Sequence, residues 1–104
     1  MNYKEMIDRI RKAIHQADPD AEAYLFGSRT RGDNHSNSNW DILILVDAPK
    51  TTNDIEDKFR DKLYDLELET GQAISIFIYP KQYWDDSLKY SPLYKNVKDE
   101  SVRI

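Results

Sequence analysis

Apolar residues recur along this chain in two rhythms. Tyr3, Met6, Ile7, Ile10, Ala13, Ile14 and Ala17 fall three or four apart, with charged residues filling the gaps. That is the spacing of a helix with one buried stripe, predicted over 3–17. Asp18, Pro19 and Asp20 end it, because proline disfavours helical backbone at the residue before it. The rhythm then tightens. "AEAYLF" (21–26) reads as a strand, Gly27 to Gly32 as a turn or a single helical turn, and His35 to Asn39 as a polar loop. "WDILILVD" follows, and its five apolar residues from Ile42 to Val46 run without a polar break. A strand of that kind, over about 41–46, is covered on both faces.

The helical rhythm returns after "APKTTND". Ile55, Phe59, Leu63 and Leu66 line one face of a helix predicted over 53–69. Thr52 or Asn53 can cap its start, and Asp54, Glu56 and Asp57 suit the positive end of its dipole. Gly71 is the expected stop. "QAISIFIY" reads as a third strand over 73–79, Pro80 opens a short helix in "KQYWDDSLKY", and Ser91 and Pro92 start another in the tail. The order helix, strand, strand, helix, strand, helix predicts an α/β (α+β) fold, a mixed sheet with helices packed against it.

Length and composition narrow this picture. A chain of 104 residues supports one domain, with a core over about 1–80 and a helical tail over about 81–104. The absence of cysteine excludes disulfides and thiolate metal sites. No apolar run approaches the roughly 18 residues of a membrane span, and "MNYKEMIDRI" has no apolar signal core. A cytoplasmic, soluble protein is expected. Its net charge of −4 argues against direct nucleic-acid binding, which needs a basic surface to displace counterions. A small phosphorylated ligand held by a few local cations remains compatible with it.

The candidate chemistry lies between the first two strands, in "LFGSRTRGDNHSNSNWDILILVD" (25–47). Gly27 permits close backbone approach to a ligand. N–H groups at the helix start favour an anion, Ser28 adds a hydroxyl donor, and Arg29 and Arg31 add charge-assisted donors suited to phosphate oxygens. "GSRTRG" alone equally describes a surface turn with two solvated arginines, and it is not a Walker loop. Positions 39 and 41 add weight, since residues two apart on a strand share a face. Two carboxylates there would make a Mg²⁺ site beside a phosphate-binding turn. Asp41 is one; position 39 is asparagine.

Gly27 and Ser28, ten residues from Arg29 to Ser38, then Asn39-Trp40-Asp41 and "ILILV" together resemble a known signature. They resemble the minimal nucleotidyltransferases of the DNA polymerase β-like superfamily, whose motif is Gly-Ser, ten residues, Asp-x-Asp. The resemblance spans residues 1 to about 80. It implies Gly27, Ser28, Arg29 and Arg31 as nucleotide-binding residues and Asp41 as catalytic acid and metal ligand. It also implies Mg²⁺ as cofactor, held in the family by three carboxylates. There a hydroxyl acceptor attacks the α-phosphorus of a nucleoside triphosphate and pyrophosphate leaves. The third acid of the family sits on a later strand, at the position matched here by Ser75. Two of the three acid positions are therefore degraded, Asn39 and Ser75, and a weakened metal site with slow transfer is the expectation.

Replacement ligands are scarce. Asp47 is in phase with Asp41 but roughly 20 Å along the strand. Asp33, in the loop, is a candidate ligand, and Glu22 and Glu67 have no place that sequence alone can fix. His35 reads as an exposed loop histidine. Trp40 should point to the opposite sheet face from Asp41 and join the core. Tyr83, Trp84, Tyr90 and Tyr94 crowd the C-terminal quarter, as sheet cover or as a partner-binding patch. Minimal nucleotidyltransferases of this type resemble the antitoxin halves of two-gene systems, which implies a helical HEPN-domain protein as partner. The competing reading keeps the fold and loses the chemistry: an inactive nucleotide- or partner-binding module.

Overall fold

The computed structural model describes residues 2–31 and 39–104. Its element order is α1 (Tyr3–Ala17), β1 (Glu22–Phe26), α2 (Ser28–Arg31), β2 (Trp40–Val46), α3 (Asn53–Thr70), β3 (Ile74–Pro80), α4 (Lys81–Ser87), α5 (Pro92–Glu100) and β4 (Val102–Arg103). The expected strands and long helices fall within a residue or so of their predicted ranges. The strands form one sheet in the order β3-β2-β1-β4. β1 runs antiparallel to β2 and β4, and β2 runs parallel to β3. The sheet is therefore mixed.

Local signals set the element ends. Asn2 accepts the Glu5 N–H at 2.8 Å and Thr52 accepts the Ile55 N–H at 3.2 Å, so α1 and α3 each start on a side-chain cap. Gly71 ends α3 in the left-handed conformation at φ +70°. Ser91 caps α5, with Pro92 in its first turn.

The sheet has two covered faces. On one, α1 and α3 bury Met6, Ile10, Ile14, Phe59 and Leu63 against Ala23, Leu25, Trp40, Ile42, Ile44 and Ile78. On the other, Trp84 of α4 and Val97 of α5 close over Phe26, Leu43 and Leu45. The unbroken apolar run of β2 follows from this double cover. Trp40 is 2% exposed and sits on the α1 and α3 face, as alternation from Asp41 requires.

The last quarter of the chain is integral to the second layer, since α4 and α5 supply that cover. A final two-residue strand, β4, lies beyond the expected elements. β4 pairs Tyr24 with Arg103 and Leu25 with Val102, and the Ile104 N–H donates to the Ala23 carbonyl at 2.9 Å. Two residues carry no readable periodicity, so only tertiary pairing defines them. No helix among the described residues is long and apolar enough to cross a membrane.

Candidate functional site

The site is assembled where β1 ends and β2 begins. Antiparallel pairing sets Phe26 opposite Asp41. The chain leaves Phe26 through Gly27, at φ +83°, a left-handed backbone that side chains rarely adopt. One helical turn follows. The Gly27 carbonyl accepts both the Thr30 N–H, at 3.0 Å, and the Thr30 hydroxyl, at 2.7 Å. Thr30 was not singled out in the sequence, and its hydroxyl is what doubles the bond closing the turn. A Cβ on Gly27 would run into the Asp41 carboxylate, whose Cγ lies 3.3 Å from that point. Glycine is thus required twice, for its backbone angle and for the space it leaves to Asp41.

Parallel pairing completes the group. Asp41 and Ser75 are register partners on β2 and β3, so their side chains share the sheet face that α4 and α5 cover. Asn39 stands one residue before β2 and donates from its amide Nδ2 to Ser75 Oγ at 3.0 Å. Asn39, Asp41 and Ser75 therefore meet beside the Gly27–Ser28 turn.

The donor set is one carboxylate, one amide oxygen and one hydroxyl. A resident magnesium centre needs more charge than that, because Mg²⁺ is held by carboxylates with phosphate and water completing its octahedron. Among the described residues no three acidic, histidine or cysteine side chains gather to hold a metal ion. Among the described residues, Asn39, Asp41 and Ser75 do not by themselves make up a resident metal centre. Asp41 is the one member of the group that could offer a charged oxygen to a cation.

The arginines divide. The Arg29 guanidinium lies over the Trp40 ring, 4.3 Å from its centroid. Trp40 is itself braced: Tyr3 packs at 5.5 Å between ring centroids, and the indole N–H donates to Gln72 at 2.6 Å. Arg29 is thus anchored on the tryptophan that alternates from Asp41, a contact between residues 11 apart that no local pattern announces. Arg31 closes α2. Gly32, Asp33 and His35 lie outside the described residues.

The two acids that sequence left unplaced both have structural work. Glu67 accepts the Ile74 N–H at 2.9 Å, tying the end of α3 to the start of β3. Glu22 lies at the far end of β1, bonded to Lys81 at 2.6 Å and to the Tyr24 hydroxyl at 2.7 Å. Its pKa is lowered, chiefly by the Lys81 bond, with burial opposing and the Tyr24 bond assisting.

The sequence profile of the nucleotidyltransferase domain matches residues 7–102. Among solved structures, a chain in the crystal structure of a toxin-antitoxin with AMP-PNP aligns at TM-score 0.64 and 21% identity. It covers 92% of this chain and 69% of that one. The spectinomycin adenyltransferase AAD(9) from Enterococcus faecialis, with ATP and spectinomycin, aligns at TM-score 0.67 and 22% identity. There 82% of this chain covers 37% of the enzyme, so this chain spans little more than a third of it. A mutant form of the toxin-antitoxin MntA-HpeT aligns over 100% of this chain and 72% of that one, at TM-score 0.58 and 20% identity. At such identities the structural likeness is one of fold. No curated protein matches in sequence. The profile match over nearly the whole length, with the Gly27–Ser28 turn set against Asp41, places this chain in the nucleotidyltransferase domain family.

Proposed function

We propose that this single nucleotidyltransferase-like domain binds a nucleoside triphosphate as its Mg²⁺ complex and transfers the nucleoside monophosphate slowly, or not at all. The observation that carries the reading is the meeting of Asp41, Ser75 and Asn39 beside the Gly27–Ser28 turn. The turn offers backbone N–H groups and the Ser28 hydroxyl to phosphate oxygens. Asp41 offers a negative charge to the cation on the triphosphate. Asn39 and Ser75 are neutral and bonded to each other, so the acceptor hydroxyl would be deprotonated without the charge that two further acids supply. Arg29 and Arg31 belong to the same turn and complete the proposed nucleotide-binding set.

The acceptor in this reading is a hydroxyl, on a protein tyrosine or a small molecule. Relatives of the fold crystallised as toxin-antitoxin complexes support a protein partner, and we assign a helical HEPN-type protein to that role, in the cytoplasm.

Chemical-shift mapping tests the site. Added Mg²⁺–ATP should move the backbone amides of Gly27 to Thr30, Asn39, Asp41 and Ser75, and Asp41→Asn should make those shifts independent of Mg²⁺. Shifts confined to other surfaces would overturn the reading. A labelled-nucleotide transfer assay on a co-expressed partner separates slow enzyme from inactive module.

A further inference from the structure

The two edges of the sheet are treated differently. One is closed by β4, two residues long and carrying the charge of Arg103, the kind of edge that resists further pairing. The other is β3, seven residues without a charge, "ISIFIYP". Among the described residues nothing pairs with its outer side. The Ala73 carbonyl points to β2, where it accepts the Trp40 N–H. Alternation therefore directs the N–H and C=O groups of Ile74, Ile76 and Ile78 outward. The Ile74 N–H is taken by Glu67; those of Ile76 and Ile78 face away from the sheet.

Large apolar groups flank this edge on both faces. Tyr64 of α3 is 58% exposed and lines, with Ile74 and Ile76, a groove of about 360 Å³ beside β3. Leu68, 67% exposed, continues its row one turn on. On the other face Tyr83, 48% exposed, stacks on Tyr79 of β3.

The charge of the groove selects the occupant. Asp57, Asp61 and Glu67 line it. Arg60, the cation among its described lining residues, already pairs with Glu56 at 3.2 Å. A second copy of this chain would bring the same acids against these, and like charges across an interface oppose association. A strand carrying lysine or arginine meets attraction instead. We infer that the β3 edge is a docking site for an extended basic segment of a partner protein. Added as a fifth strand, the segment would bond Ile76 and Ile78 by main chain and lay its cations along Asp57 and Asp61. The inference stands apart from the nucleotide site: it rests on the edge, and peptide binding can fail while nucleotide binding succeeds.

The test uses labelled synthetic peptides of alternating valine and lysine, their valine–glutamate counterparts, and a lysine version N-methylated at alternate backbone amides. Anisotropy titrations should show the lysine peptide binding at least tenfold tighter than either control. Hydrogen exchange should slow at Ile76 and Ile78 when it binds. The surface variant Asp57→Lys/Asp61→Lys should reverse the charge preference, and Ile76→Lys should weaken lysine-peptide binding at least tenfold. Equal binding of the lysine and glutamate peptides, or undiminished binding of the methylated one, would overturn the inference. So would sedimentation showing a dimer with these amides already protected.

Discussion

Replacing Gly27 with alanine imposes two costs that the structure allows to be separated. The first is conformational. At φ +83° an L-residue is disfavoured by about 1–2 kcal/mol. The second is steric, because the new methyl runs into the Asp41 carboxylate. Forcing a group into filled space typically costs about 1–3 kcal/mol. Gly71→Ala supplies the control, since φ there is +70° and nothing lies within 4 Å of an added Cβ. Only the conformational cost applies at Gly71, and the entropy that alanine removes from the unfolded chain is common to both variants. Gly27→Ala should therefore lose about 2–5 kcal/mol and Gly71→Ala about 1–2 kcal/mol. For a domain of this size each kcal/mol moves Tm by about 4–8 °C, so calorimetry or urea unfolding resolves the two. In the Gly27→Ala/Asp41→Ala double variant the steric part should vanish, leaving a coupling of about 1–3 kcal/mol. A Gly27→Ala cost equal to that of Gly71→Ala, unaltered by Asp41→Ala, would refute the close seating of the turn against the acid.

Other expectations follow from the packing and charges. Phe59 is fully buried, so Phe59→Ala should cost about 3–5 kcal/mol in urea unfolding. Trp40→Phe keeps an aromatic face for Arg29 but loses the indole bond to Gln72; a loss of about 1–3 kcal/mol is expected, and Gln72→Ala should be less costly in the Trp40→Phe background than in wild type. Glu22 has a folded pKa below its ordinary 4.5, mainly through its bond to Lys81. Its stabilising contribution is thus full above that value and is lost as pH falls through the lowered folded pKa. The urea midpoint advantage of wild type over Glu22→Gln should persist near neutrality and shrink in acid below that ordinary value; a gap independent of pH would contradict the assignment.

The fold was legible where spacing and punctuation agree. Seven apolar residues at helical spacing and Asp18-Pro19 fixed α1, and Thr52 with Gly71 bounded α3. The same holds for β2, whose unbroken apolar run required the two covering layers that α1 with α3 and α4 with α5 provide. β4 was not legible, because two residues acquire strand geometry only by pairing with Tyr24 and Leu25. At the candidate site the motif spacing singled out Asp41, and the match of strand to strand singled out Ser75, which the register places opposite it. The seat of Arg29 on Trp40 could not be read, since it depends on how the turn lies across the sheet end. Nor could the bond that joins Asn39 to Ser75 across 36 residues.

In the function proposed above, Asp41 is flanked by the neutral bonded pair Asn39 and Ser75, and this limits what the site does with a metal–nucleotide complex. Calorimetric titration of ATP, with and without Mg²⁺, into wild type and Asn39→Asp/Ser75→Asp separates the outcomes. The wild type should bind weakly, with less than a tenfold gain from Mg²⁺. The double variant should gain at least tenfold with Mg²⁺, about 1.4 kcal/mol, because two charges return beside Asp41. Without the metal it should bind no better than wild type, since three adjacent carboxylates repel a triphosphate. Tight, strictly Mg²⁺-dependent binding by the wild type, or a double variant indifferent to Mg²⁺, would contradict the account.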